Sequence, residues 1–323
     1  MVSPFGLPLF FGTTTHDDRH HAILLSPFYL SLSHNCVQNY FDILVFKKRV
    51  LSLYTTYKMS TLFVTAYKDI GRRYWNAYER PQSKYISVFT KMALSISKFY
   101  TLIVYCSKEV QQECLEECKK VFSLDQFPPN VIFYGLEEVN TFYDRYIETE
   151  RAIMRSPEYN QNIPWDRKEN PEHKFAEYNL INHSKINFVA DAKKRYNNYE
   201  YYVWVDFGLN DYPTKDLNME QHCPPGKIVY GLNTPMQPFK ISPKQMLSSH
   251  VIYFMGSEFV AHKDAVEPFE NAFEETLLWL HTQNVSDDDQ NVVLQVYYRH
   301  PELFHLLPIG EWFSMFKRFL NRV

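Results

Sequence analysis

The sequence predicts an α/β protein built on a Rossmann-like, mostly parallel sheet flanked by helices. Three observations carry that reading. β-rich runs alternate with stretches of helical spacing from residue 61 onward. The spacing of strand, helix, strand, helix, strand over the first part of that region is that of crossover units, which require parallel neighbours. A chain of 323 residues with 45% hydrophobic content is long enough to cover both faces of such a sheet, in one large domain or two smaller ones.

The elements follow in order. "TLFVTAY" (61–67) reads as a first strand, "SKYISVFTKMALSISK" (83–98) as an amphipathic helix and "TLIVYC" (101–106) as a buried strand. "KEVQQECLEECKKVF" (108–122) is helical, "NVIFYG" (130–135) is a strand after the Pro128–Pro129 break, and a further helix is expected from Glu137. The polar, proline-bearing stretch 156–174 reads as a loop, and 175–196 as one helix leading into "YYVWV" (201–205). "KIVYGLN" (227–233) and "HVIYFMGSEFVAH" (250–262) are strand-like, helices are expected over 264–281 and 287–299, and the amphipathic tail 311–323 is expected to pack on the body.

Composition shifts at Met59. Residues 1–58 hold only three of the 37 acidic residues (Asp17, Asp18, Asp42) and lack a sustained period. They are expected to form a poorly ordered extension, with the folded domain spanning 59–323. The amino terminus has an apolar patch but no preceding basic residue and no clear cleavage site, so it does not read as a signal peptide.

The charge balance narrows the function classes. A net charge of −3, with basic residues only in short clusters such as "FKKR" (46–49) and "DAKKR" (191–195), gives no field that draws the chain to nucleic acid. No run of about 18 apolar residues occurs, so no transmembrane segment is expected. Five cysteines are an odd, small set that argues against a disulfide framework and for a reducing, cytoplasmic setting. Cys114 and Cys118, one helical turn apart with no second pair at finger spacing, read as packed thiols. The 17% aromatic content suits a surface that stacks on sugars or bases, and equally an ordinary aromatic-rich core.

Two stretches carry candidate chemistry. In "YYVWVDFGLND" (201–211) an apolar strand ends on Asp206, which would emerge at the carboxyl end of the sheet, where α/β proteins bind ligands. A carboxylate there can hold Mg²⁺ or Mn²⁺, or it can cap an Asp-x-Gly turn around Gly208. In "NVSDDDQNVVLQVYY" (284–298), Ser286 can cap a helix and Asp287 to Asp289 sit at the positive end of its dipole. Three adjacent carboxylates exceed what capping needs, and Asp289 in a cleft is a candidate general base.

Taken in order, "LFVTAYKDIGR" (62–72), "EYNLINHSKINFVADA" (177–192), "YYVWVDFGLND" (201–211), "YFMGSEFVAH" (253–262) and "DDQNVVLQVYYRHPELFHLLP" (288–308) resemble the YibB/HtrL family over nearly all of 61–308. The resemblance implies a GT-A-like nucleotide-sugar fold and a glycosyltransferase. It implies a nucleotide-sugar donor, a glycan or lipid-linked acceptor and a divalent cation, Mn²⁺ or Mg²⁺. It places Thr65, Ala66 and Tyr67 at the base and ribose, Arg72 and Lys185 near the phosphates, Gly256 and Ser257 at the sugar pocket, Asp206 on the metal, and Asp288 and Asp289 beside the acceptor. The second aspartate of the Asp-any-Asp metal signature is absent, its position taken by Gly208. Asp206 would then bind the metal alone, with Asp211, or with a histidine such as His250 or His305, or metal dependence is weak. Two rivals stand beside this reading: a binding module of the same fold without transfer, and a nucleotidyl-transfer enzyme, which the scattered basic residues disfavour.

Overall fold

The computed structural model describes residues 60–75, 79–237, 239–309 and 315–320, all within one compact unit, Thr55–Val323. The extension expected over 1–58, its boundary at Met59, and most of the tail lie outside the described residues.

Seven strands form one sheet: β1 (Thr61–Tyr67), β2 (Thr101–Cys106), β3 (Val131–Tyr134), β4 (Tyr201–Val205), β5 (Ile228–Leu232), β6 (Phe254–His262) and β7 (Phe304–Pro308), in the order β3-β2-β1-β4-β6-β5-β7. β1 pairs in parallel with β2 and β4, β2 with β3, and β5 with β7. β6 runs antiparallel to β4 and β5. Among the described residues this is the mostly parallel α/β sheet that the sequence predicts, with one reversed strand that hydropathy does not reveal.

Seven longer helices cover it: α1 (Gln82–Ile96), α2 (Lys108–Phe122), α3 (Phe142–Arg155), α4 (Ala176–His183), α5 (Lys185–Arg195), α6 (Val266–Thr282) and α7 (Asp289–Arg299). All five residues of β4 are buried because both faces are covered. Tyr202 and Trp204 join a core with Phe188 of α5 and Phe269 of α6. Tyr201, Val203 and Val205 join the opposite core with Phe89 of α1, Cys114 and Cys118 of α2, and Phe316. Each large side chain so enclosed contributes about 1.5–3 kcal/mol relative to exposure. The two cysteines are free and buried, as packed thiols.

Several boundaries differ from expectation. The helix expected at Glu137 begins at Phe142, where Thr141 and Asp144 form a capping box. The loop expected over 156–174 contains short helices, Pro157–Asn162 and Pro171–Lys174. The helix expected over 175–196 breaks at Ser184 into α4 and α5. β7 and the short helix Pro243–Ser248 had no clear signal in the sequence. In the tail, Met315–Phe319 is helical, with Met315, Phe316 and Phe319 buried. No described helix is long and apolar enough to cross a membrane.

Candidate functional site

The strand order reverses between β1, which leads outward to β2 and β3, and β4, which leads the other way. Sheets of this kind open a crevice at that point, beyond the carboxyl ends of the strands. An open cleft lies there, lined by Ala66, Tyr67, Lys68, Arg72, Tyr85, Tyr178, Lys185 and Asp206 among others.

From β1 the chain enters a turn in which the Gly71 amide donates to Asp69 Oδ1 at 2.8 Å. The following 3₁₀ turn, Arg72–Tyr74, brings the Arg72 guanidinium back over the rings of Trp75 and Tyr178, 5.2 and 5.5 Å from their centroids. Its Nη1 donates to the Tyr85 hydroxyl at 2.8 Å, while its Nε is buried without a hydrogen-bond partner. Lys68 places its ammonium 3.8 Å from the centre of the Tyr143 ring. Among the described residues, both cations are therefore held by neutral groups rather than by carboxylates.

β4 delivers Asp206. The antiparallel register sets Val205 opposite Glu258, so the Asp206 amide donates to Ser257 O at 2.9 Å. The chain then turns sharply, with Leu209 N donating to Asp206 O at 2.9 Å. A Cβ at Gly208 would stand 2.7 Å from Tyr85 Cδ1, so this position cannot carry a side chain unless Tyr85 moves.

Lys185 arrives through the break at Ser184. The first amides of α3 have no partners within their own helix. Asn187 Oδ1 accepts from Phe142 N at 2.8 Å, and Ser184 Oγ accepts from Tyr143 N at 3.1 Å. Ser184 Oγ also donates to Leu180 O at 2.6 Å. These bonds start α5 at Lys185, whose ammonium is buried between Asp289 Oδ2 (2.9 Å), Asp206 Oδ1 (3.1 Å) and Gly256 O (2.6 Å). Asp206 Oδ1 also accepts from Trp204 Nε1 at 2.8 Å.

The electrostatics follow from this arrangement. Burial works against the Lys185 charge, yet Asp206 and Asp289 outweigh it and hold the ammonium above its ordinary range. The surrounding protein pushes the Asp206 carboxyl up, with Asp289 adding to the effect and Lys185 opposing it. Gly256 permits the approach of α7: a Cβ there would lie 3.0 Å from Asp289 Oδ2 and 3.0 Å from Gln290 Cγ.

The acidic run is set by α4. His183 Nε2 donates to Asp287 O at 2.9 Å, and Asn179 Nδ2 donates to Ser286 Oγ at 2.9 Å. The cap of α7 is Asp288, which accepts from Asn291 N, and not Ser286. Asp288 opens onto a second, polar cleft with Arg167, Glu172, His250, Gln290 and Asn291. Its carboxyl is pushed well up by burial and by the neighbouring Asp287 and Asp289 charges.

The residues singled out in the sequence thus divide. Lys185, Asp206, Asp289 and Gly256 meet at one point, with Ser257 adjoining through its carbonyl. Ala66, Tyr67 and Arg72 line the first cleft. Thr65 does not: two residues short of the strand's end, it is fully buried within β1, its Oγ1 without a partner. Asp288 faces the second cleft. Tyr85, Tyr178 and Lys68 had not been singled out, although the aromatic content was the signal available.

Among the described residues no three His, Cys, Asp or Glu side chains converge as metal ligands. Asp211 pairs with Lys317 at 3.2 Å, His250 lies 3.9 Å from Asp166, and His305 neighbours His222.

Fold and site together define an α/β protein with an aromatic-lined cleft, bearing two cations, at the reversal of its sheet. The chain belongs to the HtrL_YibB family: the family described as "Bacterial protein of unknown function (HtrL_YibB)" matches residues 59–321. Protein HtrL of Escherichia coli (strain K12) is 26% identical over 281 residues, 81% of this chain and 93% of that protein. Among solved structures, 4-diphosphocytidyl-2C-methyl-D-erythritol synthase from Anaerococcus prevotii DSM 20548 overlaps 80% of this chain and 92% of its own, with a TM-score of 0.40 and 10% identity. That overlap is too loose to speak to chemistry.

Proposed function

We propose that the protein is a glycosyltransferase that moves a sugar from a nucleotide-diphosphate donor, a UDP-sugar in the first instance, to a hydroxyl of a glycan or lipid-linked acceptor. The observation that carries this reading is the cleft at the β1/β4 reversal, where two cations without carboxylate partners, Lys68 and Arg72, stand among tyrosine rings. Such a lining offers stacking surface for a base and opposite charge for a diphosphate. Ala66 and Tyr67 would face the base and ribose, and Arg72 the diphosphate. Gly256 and Ser257 would shape the sugar end beside Lys185.

In the reaction the acceptor oxygen bonds to the anomeric carbon, the bond from that carbon to the diphosphate oxygen breaks, and the leaving diphosphate keeps the electron pair. The hydroxyl proton passes to a base. Asp289 is held by the Lys185 ammonium, which weakens it as a base, so the geometry favours Asp288, whose raised carboxyl opens on the second cleft. Asp289 is then a positioning residue.

The test is a thermal-shift and donor-hydrolysis panel of UDP- and GDP-sugars. Stabilisation by one nucleotide family, with slow release of free diphosphate, is the expected result. A well-folded sample that responds to no donor would refute the reading. Stabilisation by a donor without turnover, with every acceptor class supplied, would favour a binding module of the same fold.

A further inference from the structure

We propose that Lys185 fills the cation position at the end of β4 in place of a divalent metal, and that Lys68 and Arg72, not a metal, offset the charge of the donor diphosphate. This inference rests on the donor-cleft reading above.

The donor chemistry leads to it. A divalent ion bound through a lone strand-end carboxylate takes its remaining ligands from a second carboxylate, water and phosphates. Here the two nearest carboxylates, Asp206 and Asp289, both face the same ammonium, at 3.1 and 2.9 Å. Asp206 Oδ1 is further engaged by the Trp204 indole. An ammonium has three N–H groups, and Asp206, Asp289 and Gly256 O take all three. Lys185 is anchored as well as paired, because it opens α5 directly after the Ser184 break that is tied to α3. A metal ion would have to displace a buried, fully bonded cation. Position 208, where the second carboxylate of the usual signature would sit, is closed by the Tyr85 ring, 2.7 Å from where a Cβ would lie.

The charge count of the cleft agrees. Lys185 is consumed by its two carboxylates and so does not itself neutralise a diphosphate. Lys68 and Arg72 are not so consumed: one rests over Tyr143 and the other donates to the neutral Tyr85 hydroxyl. Asp69, the other acid of the cleft, accepts from the Gly71 amide and lies 3.8 Å from Arg73. Two cations are thus left for a diphosphate that carries two negative charges in a nucleotide sugar. Arg72 can grip it in bidentate fashion with its remaining N–H groups, including the buried Nε that has no partner.

The experiment measures the thermal midpoint of the full chain with UDP and UDP-sugars, in excess chelator and in millimolar Mn²⁺, for the wild type and for Lys185→Met. For the wild type, Mn²⁺ alone should leave the midpoint unmoved. The nucleotide should raise it by the same amount in chelator and in Mn²⁺, about 3 °C at tenfold excess over Kd. Lys185→Met leaves Asp206 and Asp289 facing each other without a counter-charge, and should gain a midpoint rise with Mn²⁺ alone. Stabilisation of the wild type by nucleotide only when Mn²⁺ is present would overturn the inference while leaving the donor reading intact. A folded Lys185→Met protein that ignores Mn²⁺ would overturn the assignment of Lys185. If that variant does not fold, calorimetric titration of the wild type with Mn²⁺ decides: absence of binding upholds the inference, and stoichiometric binding overturns it. No response to any nucleotide sugar in either condition would remove the donor reading, and the inference with it.

Discussion

Replacing Glu258 with glutamine should flatten the dependence of stability on pH. Glu258 lies in β6 with no exposed surface; Ser257 Oγ donates to its Oε2, and its Oε1 has no partner. Burial pushes the carboxyl from an ordinary 4.5 up to about 7, with the Asp206 charge adding and the bonds from Ser257 and the Met315 backbone opposing. The sign follows directly. Between about pH 4.5 and 7 the folded protein keeps a proton that the unfolded chain has released, so stability falls as pH rises through that window and levels off above it. One pKa unit is worth about 1.4 kcal/mol, which makes the total loss about 3 kcal/mol. Glutamine carries none of it. Urea unfolding of both proteins from pH 5 to 8.5 isolates the effect, because Asp287, His173 and the other shifted groups titrate in each and largely cancel in the difference. The difference in unfolding free energy should move by about 3 kcal/mol in favour of the variant as pH rises. Two parallel profiles, offset but not diverging, would refute the reasoning and show that Glu258 does not exchange its proton in this range.

The other predictions concern how the cleft is held. Gly256→Ala forces a methyl to within 3.0 Å of Asp289 Oδ2 and should cost about 1–3 kcal/mol by denaturant unfolding. An unchanged midpoint would mean that α7 shifts freely. Asn187→Ala leaves the Phe142 amide without its acceptor and Glu270 without its donor, a loss of about 1–3 kcal/mol in the same assay, with α3 the first element to lose hydrogen-exchange protection. Arg72→Gln should weaken UDP binding tenfold or more, the scale of about 1.5–3 kcal/mol for a charged hydrogen bond, and calorimetry at low salt would show it. Equal affinity in variant and wild type would place the diphosphate elsewhere.

How much of this was legible varied with how local the determining contacts are. β1, β2 and α2 were readable to the residue, because a β-branched or apolar run of the right length, or a Ser107 cap accepting from Val110, states its own limits. The start of α3 was placed five residues early, at Glu137, although the Thr141–Asp144 box marks it at Phe142. The break at Ser184 was not readable, since the groups that stabilise it are the Phe142 and Tyr143 amides, more than forty residues away in the chain. The direction of β6 was hidden for a similar reason: an all-buried strand has the same apolar run whichever way it lies. In the site, residue type was informative and pairing was not. Asp206, Lys185, Gly256 and Asp289 each stood out alone, but that one ammonium would take both carboxylates follows only from their meeting in space.

That meeting carries an electrostatic cost. Burying a lysine between two carboxylates strips Lys185 and Asp289 of most of their water and Asp206 of part of it, and well-packed apolar groups of the same volume often stabilise a fold equally or better. Stability alone therefore does not account for the arrangement. What the ammonium does is tie the amino end of α5, the end of β4, the carbonyl of Gly256 in β6 and the first turn of α7 to one point. The same point borders the first cleft through Lys185 and Asp206 and reaches the second through the Asp288–Gln290 turn. A ligand charge that draws Lys185 or Asp206 must then disturb the hydrogen bonds that hold the first turn of α7 at this point.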